Sequence, residues 1–406
     1  MKPDTKRFFL QSSNLRIAAF MSHPTQHHAP WFRALAIEDN IDLKVFYFSR
    51  HGIGTTLDKE FGERFKWDIS LTDGYNYEYL PTVLGLKSTY NGFLRINRGI
   101  RRAIKSKSWH AILNLSYNSI ANWVVWNEAI LNNIPQIYHS DSTLLHKRSL
   151  WRVLFKELPV RVFFKGISIF LASGDNNYEY LRRYGAHPKK ITPCPIPVDI
   201  ERFQDCMHSK NWESKRNDIR NKYHLVDDEK IILFCGKIAA WKKPQDIISA
   251  VSQLGLTKVK VLFIGTGPLA DQIKRSLPDK VIVTGFINQS EIPYYLGVGD
   301  VLVMPSLRDQ HPLAITEAAC LGIPSIISDR CGCYGPNDVL RHGENGFVYP
   351  YGDTKALAMY LRYLLLDNNL KLRMGERAKE LALTQNVDVA AKAVVKALKS
   401  YVTIKA

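Results

Sequence analysis

Long apolar runs are missing from this chain of 406 residues. No segment carries the roughly 20 consecutive apolar residues that a bilayer-spanning helix needs, so no spanning helix is expected. The opening stretch, MKPDTKRFFLQSSN, holds charges but neither an apolar central segment nor a small-residue cleavage site. It reads as a frayed extension rather than a secretory signal. Cysteine is also sparse: six residues, at 194, 206, 235, 320, 331 and 333, with no Cys-x-x-Cys pair. Cys331 and Cys333 bracket one glycine, but a metal site at such spacing calls for a second ligand pair, and none lies nearby. The expectation is ordinary reduced thiols in a cytosolic protein.

Acidic residues are the other shortage, with 38 Asp and Glu against 55 Lys and Arg and a net charge of +17. The excess is uneven, because residues 1–203 hold 28 basic against 17 acidic side chains. Between Glu78 and Glu128 no acid occurs, while Lys87, Arg95, Arg98, Arg101, Arg102, Lys105 and Lys107 all do. A second basic stretch, 147–165, interleaves charge with Leu150, Trp151, Val153, Leu154, Phe155, Val162, Phe163 and Phe164. Two readings stand for it: a helix lying on an anionic membrane surface, or a solvated helix whose apolar face covers the core. Nucleic acid is not expected as a partner, since no recognised nucleic-acid motif accompanies the charge.

What is present is an alternation of apolar runs and amphipathic stretches, over a length that suits two cores rather than one. Strands are predicted at 16–21, 43–48, 111–115, 135–139, 167–172 and 191–197, with helices at 31–36, 93–106, 120–131 and 176–184; residues 49–90 read as irregular. Residues 204–228 are polar and mark a junction. The alternation then restarts, with strands at 230–235, 259–264, 281–284, 301–304, 325–328 and 346–348, and a helical tail over 370–401. The chain is α/β, with a first domain over 1–203, a second over 229–385 and a final helix over 386–406.

The densest signal is DVLVMPSLRDQHPLAITEAACLGIPSIISDRCGCY, residues 300–334. An apolar strand ends in Pro-Ser, a polar loop follows, and a helix over 313–321 leads to Gly-Ile-Pro and another strand. Asp309 stands in the loop and Glu317 eight residues on, in the helix. Carboxylates at the C-terminal end of a strand in an open α/β sheet sit where ligands bind, and they accept hydrogen bonds from sugar and ribose hydroxyls. A second signal is FCGKIAAWKKP, 234–244, where a strand ends in Gly236 and two cations follow five residues apart, Lys237 and Lys242. Fixed ammonium groups there suit a diphosphate whose charge grows as a bond to it breaks. Gly265-Thr266-Gly267-Pro268 and Gly285-Phe286-Ile287 end two further strands.

The first of these stretches resembles the donor-site signature of family-4 glycosyltransferases, Glu-x7-Glu before Ala-x-x-x-Gly-x-Pro. Asp309 and Glu317 stand at the two acidic positions, followed by Ala318, Ala319, Gly322 and Pro324. The resemblance implies the GT-B fold: two Rossmann-like parallel-sheet domains facing a central cleft, the last helix returning to the first domain. It implies a nucleotide-sugar donor, a saccharide or lipid-linked acceptor, retention of configuration and no divalent metal; no Asp-x-Asp triplet occurs. It assigns Lys237 and Lys242, with Gly236 and Gly267, to the diphosphate, the backbone at Phe286 to the base, and Glu317 to the ribose. Asp309 takes the transferred sugar or supports positive charge at its anomeric carbon.

Two departures stand out: Asp309 is one methylene shorter than the family's Glu, and Pro312 replaces a Gly, removing one N–H and leaving the amides of Leu313 and Ala314. In the first domain His23, His139 and Asp141 close strands at one sheet edge; they are expected to bind the acceptor, with His139 and Asp141 joining Asp309 and Lys242 in catalysis. The implied role is in surface polysaccharide or glycolipid synthesis, in the cytoplasm at the inner face of the membrane. A nucleotide-sugar epimerase of the same fold and a non-catalytic nucleotide-sugar-binding module are the alternatives.

Overall fold

The computed structural model describes residues 14–58, 63–82, 94, 96–145 and 150–404. The residues 1–13, Lys87, Arg95 and Lys147, singled out above, lie outside that set, as do the side chains of Leu150, Trp151, Val153, Leu154 and Phe155.

Two parallel sheets carry the chain. The first contains β1 (Leu15–Met21), β2 (Ile41–Tyr47), β5 (Asn76–Tyr79), β6 (Ala111–Asn114), β7 (Gln136–Ser140), β8 (Ile169–Ala172) and β9 (Ile191–Pro193), in the spatial order β5-β2-β1-β6-β7-β8-β9. A short antiparallel pair, β3 (Thr56–Asp58) and β4 (Glu63–Phe65), stands apart from it. The second contains β10 (Lys230–Cys235), β11 (Val259–Ile264), β12 (Val281–Val283), β13 (Val301–Met304), β14 (Ser325–Ser328) and β15 (Gly346–Tyr349), in the order β12-β11-β10-β13-β14-β15. Helices cover both faces, which is why strands such as KIILFC and VLVM are apolar throughout rather than alternating. The strand order reverses between β1 and β6 in one sheet and between β10 and β13 in the other. Crevices open at such reversals, beyond the strands' C-terminal ends.

Three differences from the sequence reading have physical causes. The segment 49–90 contains an edge strand: β5 reads Asn-Tyr-Glu-Tyr, half-exposed, so it lacks the apolar run of a central strand. The basic helix predicted over 93–106 is confined to Ile100–Lys105, starting after Gly99 in a left-handed conformation. The polar stretch 204–228 is helical, lying within Ile200–His208 and Trp212–Lys222. Phe203, Ile219 and Leu225 belong to the second domain's core, so its few apolar positions anchor a surface that is otherwise charged.

The last helix, Val387–Ile404, crosses back and buries Ala390, Ala391, Val394, Ala397 and Leu398 in the core under β1 and β2. On the helix Leu150–Lys165, Val160, Phe163 and Phe164 are buried in the first domain, whereas Leu158 and Val162 are exposed. Among the described residues no helix is long and apolar enough to cross a membrane.

Candidate active site

The two strand-order reversals face each other, and the space between them is a cleft of about 1060 Å³ lined by both domains. Its second-domain wall starts from backbone. The strands β10, β11 and β12 run out into Gly236, Gly265 and Gly285, all at positive φ. At Gly265 the requirement is absolute, because an added Cβ would lie 2.1 Å from the Gly236 carbonyl oxygen. Gly236 and Gly265 line the cleft, but Gly267 is not among the lining residues: a Cβ there would meet the Ile238 oxygen at 2.7 Å. Gly267 therefore allows two loops to touch, and the glycine at the cleft itself is Gly265.

Lys237 and Lys242 both line the cleft. A tight turn, Ala240–Lys242, carries the second; Lys243 then sits at φ +52 and Pro244 opens the next helix. Lys242 is buried, its ammonium over the Trp241 ring, and it donates to Asp309 Oδ2. The two groups assigned separately to diphosphate and sugar are thus one ion pair. An ammonium has three donors, so the pair leaves Lys242 able to hold a second anion while it orients the carboxylate.

Glu317 is 6% exposed, faces the cleft, and its carboxylate has no hydrogen bond among the described residues. Burial pushes its pKa above the ordinary value, against a smaller opposing pull from Arg202. A buried carboxylate in this state lacks donors, and two adjacent hydroxyls would supply them. Leu313 and Ala314, also lining residues, are the N-cap and the first residue of the helix Ala314–Cys320, where Ile315 N–H bonds to Pro312 O. Phe286 lines the cleft too and stacks on Phe65 of the first domain, with centroids 4.4 Å apart.

The first-domain wall contains His23, His139 and Asp141 as expected, all at strand ends. His139 is 2% exposed, packs on Trp31 and holds the Cys194 carbonyl at 3.2 Å through Nε2. A carbonyl only accepts, so Nε2 carries the proton and Nδ1 is an acceptor. Burial lowers its pKa to about 4, so the ring is neutral near pH 7. Burial raises Asp141 to about 6, helped by the negative charge of Asp309 across the cleft. His23 bonds Ser22 Oγ at 2.8 Å and stands edge-on to His51.

Sequence reasoning passed over several lining residues. His311 lies inside the quoted 300–334 stretch; burial lowers its pKa to about 4 and its Nε2 has no partner. Phe65 and Trp67 come from the segment read as irregular, and no spacing in the sequence points from there to the cleft. Arg202 does not line the cleft, but its charge acts on Glu317 and it binds Gln289 Oε1 at 3.1 Å; it stood near the assigned junction, where nothing marked it. Among the described residues no cluster of three or more His, Cys, Asp or Glu is arranged to hold a metal ion.

Two facing parallel-sheet domains with a returning C-terminal helix are the GT-B fold. Solved structures with this architecture include HepE of Anabaena in complex with UDP, at TM-score 0.71 and 16% identity over 95% of this chain and 100% of that one. Sucrose-phosphate synthase of Thermosynechococcus elongatus superposes at TM-score 0.71 with 17% identity, covering 97% and 100%.

Residues 215–381 match the model of the family described as Glycosyl transferases group 1. In sequence the chain is similar to alpha-D-kanosaminyltransferase of Streptomyces kanamyceticus, 31% identical over 51% of this chain and 53% of the relative. It is also similar to N-acetyl-alpha-D-glucosaminyl L-malate synthase of Bacillus anthracis, 30% identical over 40% and 43%. The chain thus spans about half the length, or less, of these curated relatives.

Proposed function

We propose that the protein is a glycosyltransferase that moves a hexose-type sugar from a nucleotide-sugar donor to a hydroxyl of a saccharide or lipid-linked acceptor. The observation that carries this reading is Glu317: a buried, unbonded carboxylate on the same wall as Lys237, Lys242 and a floor of strand-end glycines. A ribose diol satisfies the first, a diphosphate the second, and only a flat backbone lets the diphosphate approach the third. A protein of the same fold, HepE of Anabaena, was solved in complex with UDP, which supports a nucleoside-diphosphate donor.

In the reaction proposed, Lys237 and Lys242 hold the leaving diphosphate and offset its growing charge. Asp309, oriented by Lys242, lies against the sugar as positive charge develops at the anomeric carbon. Asp141, ionised above about pH 6, aligns the acceptor hydroxyl from the opposite wall. Retention, independence of divalent metal and a role in surface polysaccharide or glycolipid synthesis belong to the same proposal. So does a peripheral contact of the basic first domain with anionic lipid, for which Leu158 and Val162 are the exposed apolar groups.

Thermal shift against UDP-, GDP- and ADP-sugars, each with and without EDTA, tests it. A ligand that binds only the native state raises the melting point. Stabilisation by one nucleotide class, unchanged by EDTA and lost in Glu317→Ala, is expected; no shift with any sugar nucleotide overturns the reading.

A further inference from the structure

Phe286 marks the place on the second domain where the base of the donor would lie, yet its ring is already engaged by the other domain. Phe65 stacks on it with centroids 4.4 Å apart and planes 25° from parallel, and Trp67 meets it edge-on at 5.9 Å. Phe65 and Trp67 also meet each other at 4.9 Å, so the three rings form one aromatic cluster spanning both domains. All three line the cleft, beside Ile287 and Gln289.

Polar bonds fasten the same seam. Asn288 Nδ2 donates to Lys66 O at 2.7 Å and its Oδ1 accepts the Asp68 N–H at 3.3 Å. The Ser290 N–H donates to the Asp68 carboxylate at 3.2 Å, and the Ser290 hydroxyl donates to it as well. A first-domain strap of four residues, Phe65 to Asp68, is therefore clasped to the loop after β12. At 4.4 Å Phe65 and Phe286 are in ring contact, so no base fits between them. A flat heterocycle in this arm of the cleft lies against the cluster, where Trp67 and Phe65 complete a wall that the second domain lacks by itself.

We infer that Phe65 and Trp67 of the first domain form part of the nucleobase site of the donor, a site that the clasped seam already presents. This rests on the nucleotide-sugar reading above. Base–aromatic stacking is tolerant of base identity, so the strap contributes affinity rather than choice among bases. Hydrogen bonds from the backbone and side chains of the loop after β12 are left to make that choice.

The test uses the full chain with UDP, GDP, ADP and inorganic pyrophosphate as probes in calorimetric titrations. For whichever nucleotide binds, Trp67→Ala and Phe65→Ala are expected to weaken it by about tenfold or more, the scale of one lost stacking contact. Pyrophosphate, which has no base, should bind all variants alike. Trp67→Phe keeps a ring and should keep most of the affinity, while removing the tryptophan fluorescence change that the nucleotide produces in the parent chain. Asp68→Asn, which loosens the clasp and touches no base, should weaken the nucleotide by a smaller factor. Unchanged nucleotide affinity in Trp67→Ala and Phe65→Ala, with Glu317→Ala still weakening it, overturns the inference and leaves the function standing. Absence of nucleotide binding by the parent chain overturns both.

Discussion

The two walls of the cleft are built on different physics. The second-domain wall is made of backbone and charge: glycines at two strand ends, an ammonium paired with a carboxylate, and a buried acid with no donor among the described residues. The first-domain wall is made of neutral rings, one titrating acid and the basic Lys156: His27 and His28 are held near pKa 3 by burial, His139 near 4, and Asp141 near 6. One wall is shaped to offset a fixed negative charge. The other sets the Asp141 carboxylate and the basic Lys156 among neutral rings, and it is the surface proposed to orient an uncharged hydroxyl. The proposed transfer uses this asymmetry, because the leaving group carries charge through the reaction and the acceptor does not.

The sharpest way to break the comparison is at Lys242. Lys242→Ala leaves the partly buried Asp309 carboxylate, its side chain 12% exposed, without its cation, so beyond lost binding it is expected to destabilise the fold by on the order of 1–3 kcal/mol. Chemical denaturation measures this, and Lys242→Ala with Asp309→Ala should recover most of it. A single variant as stable as the parent would mean the pair is not the structural unit described.

Next comes Glu317→Ala, expected to weaken nucleotide binding by roughly 1.5–3 kcal/mol, the range for hydrogen bonds to a charged group. Because burial raises the Glu317 pKa, removing the acid should also leave stability equal or higher, so binding and stability move in opposite directions. Loss of both together would contradict the picture of a carboxylate waiting for donors.

On the first-domain wall the signature is pH. Asp141 ionises near 6, so transfer should rise as pH passes upward through that value and level off above it. Asp141→Asn should give a lower and flat profile over the same range, read in kcat/KM. A rise that survives in Asp141→Asn would assign the titration to another group.

The smallest effect lies at the seam between the walls. Asp338 is 2% exposed, accepts the Asp175 N–H at 3.0 Å and is pushed to about 7 by burial and by the Asp175 charge. Its folded pKa is above the unfolded value of about 3.9, so the closed structure loses stability as pH rises between the two and stays lower above 7. Asp338→Asn should therefore stabilise the protein at pH 8 by on the order of 1 kcal/mol, seen as a higher melting temperature, and change little at pH 4. Melting curves at the two pH values decide it.

Legibility followed locality. Lys237, Lys242, Asp309 and Glu317 lie within one domain, on short strand-to-helix connections whose glycines and prolines mark the turns, so their placement at one sheet edge could be inferred from spacing. Gly267 shows the limit: two glycines one residue apart look alike in sequence, and only the approach of the Ile238 loop decides that Gly265 faces the cleft. β5 was hidden because an edge strand with half-exposed tyrosines has no apolar run to betray it. Phe65, Trp67 and Asp68 were hidden for a deeper reason, since their partners lie some 220 residues away.

By itself the sequence determined the α/β class, the two successive sheets and the chemistry of the second-domain wall. These depend on period, turn residues and short-range order, all of which act within about 30 residues. Only the tertiary structure decided that Lys242 and Asp309 form a pair, that Glu317 has no hydrogen-bond donor among the described residues, and that an aromatic strap from one domain closes on the loop of the other. Those outcomes depend on which surfaces meet when two independently folded cores are brought face to face, and no local pattern encodes that.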